Sequence, residues 1–227
     1  MPTLADRLHH IHERIAQATS QVSRDPSSVR LMLATKTQDM EILRRAFALG
    51  ESLYGENRVQ ELVPKCDALK DLPITWQFIG HLQTNKVRDV IGRVSCIQSI
   101  DRPSLVEAVD AECKKRGTVV DVMIEVNTSG EESKHGAPVH TVQKVIDDVL
   151  ARSTMRITGF MTIGALSEDE VVVRRCFESL RLIRDEFDAH HGTTSHLSMG
   201  MSDDLEWAVA EGSTMVRVGT AVFGERL

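Results

Sequence analysis

Eight short apolar runs recur along this 227-residue chain, and each of the first seven is followed by a stretch with helical spacing. That rhythm restricts the fold more than any single motif does. Strands are expected over 29–36, 52–55, 75–80, 94–100, 119–126, 157–163, 195–198 and 214–218. Helices are expected over 39–49, 57–69, 85–91, from Pro103 to just before Gly117, and over 139–150, 168–190 and 203–210. Gly50 suits the position after a helix, and Pro103 suits a first helical turn. The strand runs read as buried on both faces, which is the habit of parallel sheets. Eight β-α steps with short connections then predict one closed (β/α)8 TIM barrel, an α/β fold, over residues 1–227 as a single domain. An open doubly wound sheet would bring a glycine fingerprint after the first strand, and none is present. The last strand lacks a full helix behind it. An amphipathic run over 4–22 precedes the first strand and is expected to cover that gap as an extra N-terminal helix.

Composition narrows the class. The formal net charge of −6 argues against nucleic acid or an anionic membrane as the main partner. No apolar stretch approaches membrane-spanning length. The first fifteen residues carry Asp6, Arg7, Glu13, Arg14 and three histidines, so they are no secretory signal. The four cysteines, Cys66, Cys96, Cys113 and Cys176, form no CxxC pair. Reduced thiols, a cytoplasmic location and no metal site are therefore expected. His9, His10 and His12 read as a solvated helix face, and His190-His191 as the end of a long helix.

In a barrel of this kind the chemistry sits at the C-terminal ends of the strands. Those ends carry Lys36, Asn57, His81, Arg102, Asn127, Met161, Thr162, Ser198, Gly200, Arg217 and Gly219. A strand-end lysine in an apolar pocket can attack an aldehyde. The loops Ser198-Met199-Gly200-Met201-Ser202 and Gly219-Thr220-Ala221 offer small residues and backbone amides to a phosphate. Asp203 and Asp204 are expected in the first turn of the following helix, where they would repel one. The turn after Gly219 is therefore expected to carry much of that load. Arg217 interrupts an apolar strand. It either pairs with a strand-end carboxylate such as Glu56 or Glu125, or faces the ring nitrogen of a cofactor. Together these parts point to pyridoxal 5'-phosphate joined to Lys36 as an aldimine. An arginine leaves the ring nitrogen unprotonated, a weak electron sink. The loop Glu131–Gly136 reads as a solvated rim, and Trp76 and Trp207 as packing residues.

The chain as a whole resembles the pyridoxal phosphate homeostasis protein family. The segments that carry the likeness are Ala34-Thr35-Lys36-Thr37, Gly55-Glu56-Asn57-Arg58-Val59-Gln60-Glu61 and Phe78-Ile79-Gly80-His81-Leu82-Gln83-Thr84-Asn85-Lys86. Val126-Asn127-Thr128-Ser129-Gly130-Glu131-Glu132-Ser133-Lys134-His135-Gly136, Leu197–Asp204 and Met215–Gly224 complete it. The family is similar in fold to the barrel of alanine racemase. The resemblance implies Lys36 as the Schiff-base lysine, Arg217 at the ring nitrogen and Asn57 beside the cofactor. It implies a phosphate site at Ser198, Gly200, Gly219 and Thr220; Met199 and His81 join these as expected cofactor contacts. Arg58 and Gln77 stand where the family commonly has tyrosine and histidine. Racemases of this fold add a β domain and a catalytic tyrosine; here the chain stops three residues after Gly224, and Tyr54 is the one tyrosine. The expectation is a monomeric, non-catalytic carrier that buffers the cofactor or delivers it to apo-enzymes dependent on it. The alternatives are a single-domain racemase using Lys36 with Tyr54 or His81, and a cofactor-free sugar-phosphate isomerase-like barrel.

Overall fold

Leu4, Leu8, Ile11, Ile15 and Ala18 fall on one face of the first helix, α1 (Leu4–Gln21), and all are buried. Thr3 and Asp6 close a reciprocal capping box at its start. The computed structural model that shows this describes residues 2–224; Met1 and residues 225–227, which the expected 1–227 domain includes, lie outside the described residues.

Eight parallel strands follow: β1 (Arg30–Ala34), β2 (Leu53–Glu56), β3 (Thr75–Phe78), β4 (Cys96–Ile100), β5 (Val120–Asn127), β6 (Met155–Met161), β7 (His196–Ser198) and β8 (Met215–Val218). Each pairs with its neighbours in chain order, β4 with β5 included, and β8 closes on β1 through Leu31↔Val216 and Leu33↔Val218. The expected barrel is thus formed. The helices between are α2 (Met40–Ala48), α3 (Val59–Ala68), α4 (Val87–Val90), α5 (Pro103–Arg116), α6 (Val142–Leu150), α7 (Glu170–His191), α8 (Leu205–Ala210) and α9 (Thr220–Phe223).

Differences from expectation are local. The helix expected over 85–91 is a 3₁₀ turn, Thr84–Lys86, followed by one turn of α4. Helix α8 begins at Leu205, so Asp203 and Asp204 precede it; the Asp204 carboxylate turns back to accept from the Met201 amide at 2.5 Å. A two-residue bridge, Ala137–Pro138, runs beside the end of β5. Two residues are too short for any periodicity to announce. No helix is long and apolar enough to cross a membrane among the described residues.

Two apolar layers hold the barrel. The larger lies between strands and helices, and includes Leu33, Phe78, Ile97, Phe160, Phe177 and Val216. The smaller fills the lumen with Met32, Leu53, Cys96, Met123, Met161 and Met215. Helix α1 packs on α8 and α9, where β8 is followed by a single helical turn. Arg14 grips Glu206 with two hydrogen bonds of 2.6 and 2.8 Å, and Arg7 donates to the Val222 carbonyl. The gap left by the short α9 is covered as the sequence predicts.

Candidate functional site

Lys36 sits two residues beyond the end of β1, exposed on the wall of a cavity of about 380 Å³ at the C-terminal mouth of the barrel. Its loop is held by a buried clamp. The Lys65 ammonium on α3 donates to the Thr35 carbonyl at 2.7 Å, to Glu56 Oε1 at 2.6 Å and to Glu61 Oε2 at 3.0 Å. Thr35 Oγ1 donates to Glu56 Oε1 at 2.7 Å, and the Thr37 amide to Glu61 Oε2 at 2.6 Å. Thr37 has φ +65°, a conformation a threonine adopts at a cost, and this network sustains it. Lys65 and Glu56 are 4 % and 0 % exposed, so neither charge has water to fall back on. Glu56 therefore answers Lys65 and not Arg217.

Arg217 on β8 is buried in the lumen and reaches the same cavity. Its Nη1 donates to Ser198 Oγ and its Nη2 to the Thr162 carbonyl, both at 2.8 Å. Ser198 in turn donates to Gln98 Oε1 at 2.7 Å, and Gln98 Nε2 donates to Gln77 Oε1 at 2.6 Å. This ladder crosses the barrel from β8 through β7 and β4 to β3, and fixes the guanidinium plane. Burial pulls Arg217 down to about 10, with Asp204 and Glu125 opposing, so it remains a cation at neutral pH. No carboxylate lies within salt-bridge distance of it among the described residues.

Asn57 and His81 complete the expected residues that line the cavity. Asn57 Oδ1 is buried without a hydrogen-bond partner, an acceptor waiting for a donor. Gly80 lets β2 and β3 carry these ends together: a Cβ there would lie 2.1 Å from the Asn57 carbonyl oxygen. His81 stacks on His135 with ring centroids 4.0 Å apart, and its Nδ1 lies 3.8 Å from Asp101 Oδ2. Burial, His135 and Arg102 disfavour its protonation. His81, Asp101 and His135 place ligand-type atoms within 4.8 Å of one another, and Arg102 donates to Asp101.

The five remaining expected contacts do not line this cavity. Ser198 spends its hydroxyl on the ladder, and Met199 is buried in the outer layer. Gly200 has φ +94°, and a Cβ there would meet the Ala208 Cβ at 2.5 Å. Ser202 Oγ accepts from the Ala221 amide at 3.3 Å, which joins the loop after β7 to the loop after β8. The amides of Gly200, Gly219 and Thr220 have no acceptor among the described residues. Free N–H donors on small residues at strand ends are the kind of group an anion takes.

Three contributors have roles that the sequence did not announce, Glu125 among them, which it offers only as a possible partner of Arg217. The Glu61–Lys65 pair has helical i,i+4 spacing, which signals a surface pair; only the fold buries it. Glu125 interrupts the apolar run of β5 as Arg217 does that of β8, and it too faces the cavity. The loop 131–136 is a rim with Glu132, Ser133 and His135 exposed, and its Ser133, Lys134 and His135 also wall the cavity. Lys134 donates to Glu131 and to the Gly164 carbonyl, each at 2.6 Å, and Asn127 Nδ2 donates to the Glu131 carbonyl at 2.9 Å. Tyr54 points elsewhere. Its hydroxyl donates to the Leu43 carbonyl at 2.8 Å, it packs edge-on to Trp76, and burial raises its pKa. It is no acid–base partner for Lys36.

An amine, a fixed guanidinium and an orphan amide acceptor around one cavity, with free backbone N–H groups on the loops after β7 and β8, suit a flat polar ligand bearing an aldehyde and an anion. Comparison with known proteins agrees with that description. Residues 7–227 match the family described as alanine racemase, N-terminal domain. A pyridoxal phosphate homeostasis protein of Aquifex aeolicus (strain VF5) is 42% identical over 222 residues, covering 97% of each chain. A crystal structure of a protein from Bifidobacterium adolescentis superposes with TM-score 0.93 at 39% identity, over 97% of this chain and 94% of that one. PipY of Synechococcus elongatus PCC7942, solved with PLP bound, superposes with TM-score 0.82 at 33% identity, over 94% of this chain and all of that one. With relatives at 33 to 42% identity matched along almost the whole length, the chain belongs to the pyridoxal phosphate homeostasis protein family.

Proposed function

We propose that this protein binds pyridoxal 5'-phosphate reversibly, as a cytoplasmic monomer, and buffers it or hands it to apo-enzymes that depend on it. The reading takes the whole chain, 1–227, as one cofactor-binding barrel. The observation that carries it is the pairing of an exposed Lys36 amine with the immobilised Arg217 guanidinium in one cavity. Its volume of about 380 Å³ is within the range of small-ligand sites. Bound there, the cofactor would supply an aldehyde open to amines. Lys36 supplies the amine that holds it, Asn57 and His81 bound the ring, and Arg217 faces the ring nitrogen. Gly200, Gly219 and Thr220 present backbone amides to the phosphate; Ser198 acts through Arg217, and Met199 by packing the loop. A carrier role is supported by the place of Tyr54, the tyrosine of the racemase alternative, which does not line the cavity, since racemisation needs an acid–base group on each face of the carbon. Tyr54 is committed to Leu43.

Borohydride treatment of the cofactor-loaded protein, followed by peptide mass analysis, tests the reading. The expected result is a pyridoxyl adduct on the Lys36 peptide, and no such adduct in Lys36→Ala. An adduct confined to other peptides, or none, overturns it. Turnover of single-enantiomer amino acids at ordinary enzyme rates would replace the carrier by a racemase.

A further inference from the structure

Glu125 has no task in the reading above, although it is the most unusual side chain in the cavity. It lies on β5, is 4 % exposed, and lines the same cavity as Lys36 and Arg217. Its Oε2 is buried with no hydrogen-bond partner. A buried acceptor without a donor is costly, and an ionised one more so. On the β6 side its register partner is the neutral Met161. Beyond the end of β4 lie Asp101, which repels a second charge, and Arg102, which is already bonded to Asp101. Across the lumen is Arg217, with its hydrogen bonds to Ser198 and Thr162 and with Asp204 behind it. The other titratable groups on the cavity wall are Lys36, His81, Lys134 and His135. None of these donates a hydrogen bond to Glu125 among the described residues.

We propose that Glu125 is a further cofactor-binding residue: its protonated carboxyl donates to the ligand's pyridine edge beside Arg217, and its ionised form opposes binding. The inference rests on the cofactor reading given above. The carboxyl proton would form one hydrogen bond to the ligand's phenolic oxygen, since the single lone pair of the ring nitrogen is taken by Arg217; no covalent bond changes. Loss of that proton removes the donor and sets a carboxylate in the same cavity as a phosphate dianion. Burial and the neighbouring Asp101 raise the Glu125 carboxyl to about 8, so the protonated form is the one present at neutral pH. Glu125→Gln keeps a donor of the same shape and removes the titration.

The test uses pyridoxine 5'-phosphate, whose alcohol cannot condense with Lys36, and titrates it calorimetrically into the full-length protein. The range runs from about pH 7, where the phosphate is already mostly dianionic, to about pH 9.5. Wild type should lose affinity above about pH 8, by up to about tenfold per pH unit. Glu125→Gln should hold its affinity across the range, and Glu125→Ala should bind more weakly throughout. Circular dichroism checks that each variant folds; should Glu125→Gln fail, Glu125→Met serves for the missing titration. A flat wild-type profile, or the same slope in wild type and variant, overturns the proposal. A Lys36 adduct with a flat profile sinks the role of Glu125 alone; no adduct and no analogue binding sinks the cofactor reading with it.

Discussion

Glu125 has a consequence for the ligand-free protein as well. A carboxyl raised from 4.5 to about 8 keeps its proton in the folded state, while the unfolded chain gives it up. Between those two values the native state binds more protons than the unfolded state. Stability therefore falls as pH rises through that window, by about 1.4 kcal/mol per pH unit at the steepest, and levels off above it. Glu125→Gln should abolish that share of the loss. Urea denaturation at pH values near each end of the window should show the variant gaining on wild type at the alkaline end, by about 2 kcal/mol or more, and little at the acid end. Equal differences at both ends would mean that Glu125 ionises normally. Glu125 and Arg217 were both visible in the sequence as charges within apolar strands. Their convergence on one cavity was not, because strands β5 and β8 are unpaired and face each other only through the closure of the sheet.

At the scale of elements, the clamp between α3 and the β1 end decides where Lys36 points. Lys65→Met removes the cation from Glu56, which is 0 % exposed, and leaves a buried charge uncompensated. The expected cost is about 3–5 kcal/mol in urea denaturation. Borohydride trapping on Lys36 should slow as well, because the Thr37 turn loses the groups that hold its φ of +65°. Unchanged stability would show that the clamp does not hold the β1 end. The helices and strands themselves were legible: Asp39 caps α2, Pro103 opens α5 and Gly117 ends it in the left-handed region, as their residue types foretell. The clamp was not, since Glu61–Lys65 spacing on a helix looks the same whether the face meets water or a strand end.

Over the whole molecule, α1 substitutes for the outer helix that β8 lacks. Deleting residues 2–21 would uncover α8 and α9 and unpair Glu206 from Arg14. The truncated chain should unfold without a single cooperative transition and bind the fluorescent dyes that report exposed apolar surface. A cooperative melt with wild-type midpoint would show that the barrel closes without α1. Wild type should sediment as one species of monomer mass over a wide concentration range; a concentration-dependent shift toward dimer removes the monomer reading.

Local residue types by themselves determined the eight-step rhythm, the helix ends, and the set of polar groups at the strand termini. These depend on neighbours a few positions away, which period and capping chemistry record. Tertiary structure alone decided which of those groups share a cavity, that Ser198 serves Arg217 through a ladder with Gln98 and Gln77, and that His135 closes on His81. Each of these joins residues far apart in the chain, in the lumen or at its mouth, where side-chain direction and burial, not sequence spacing, select the partner.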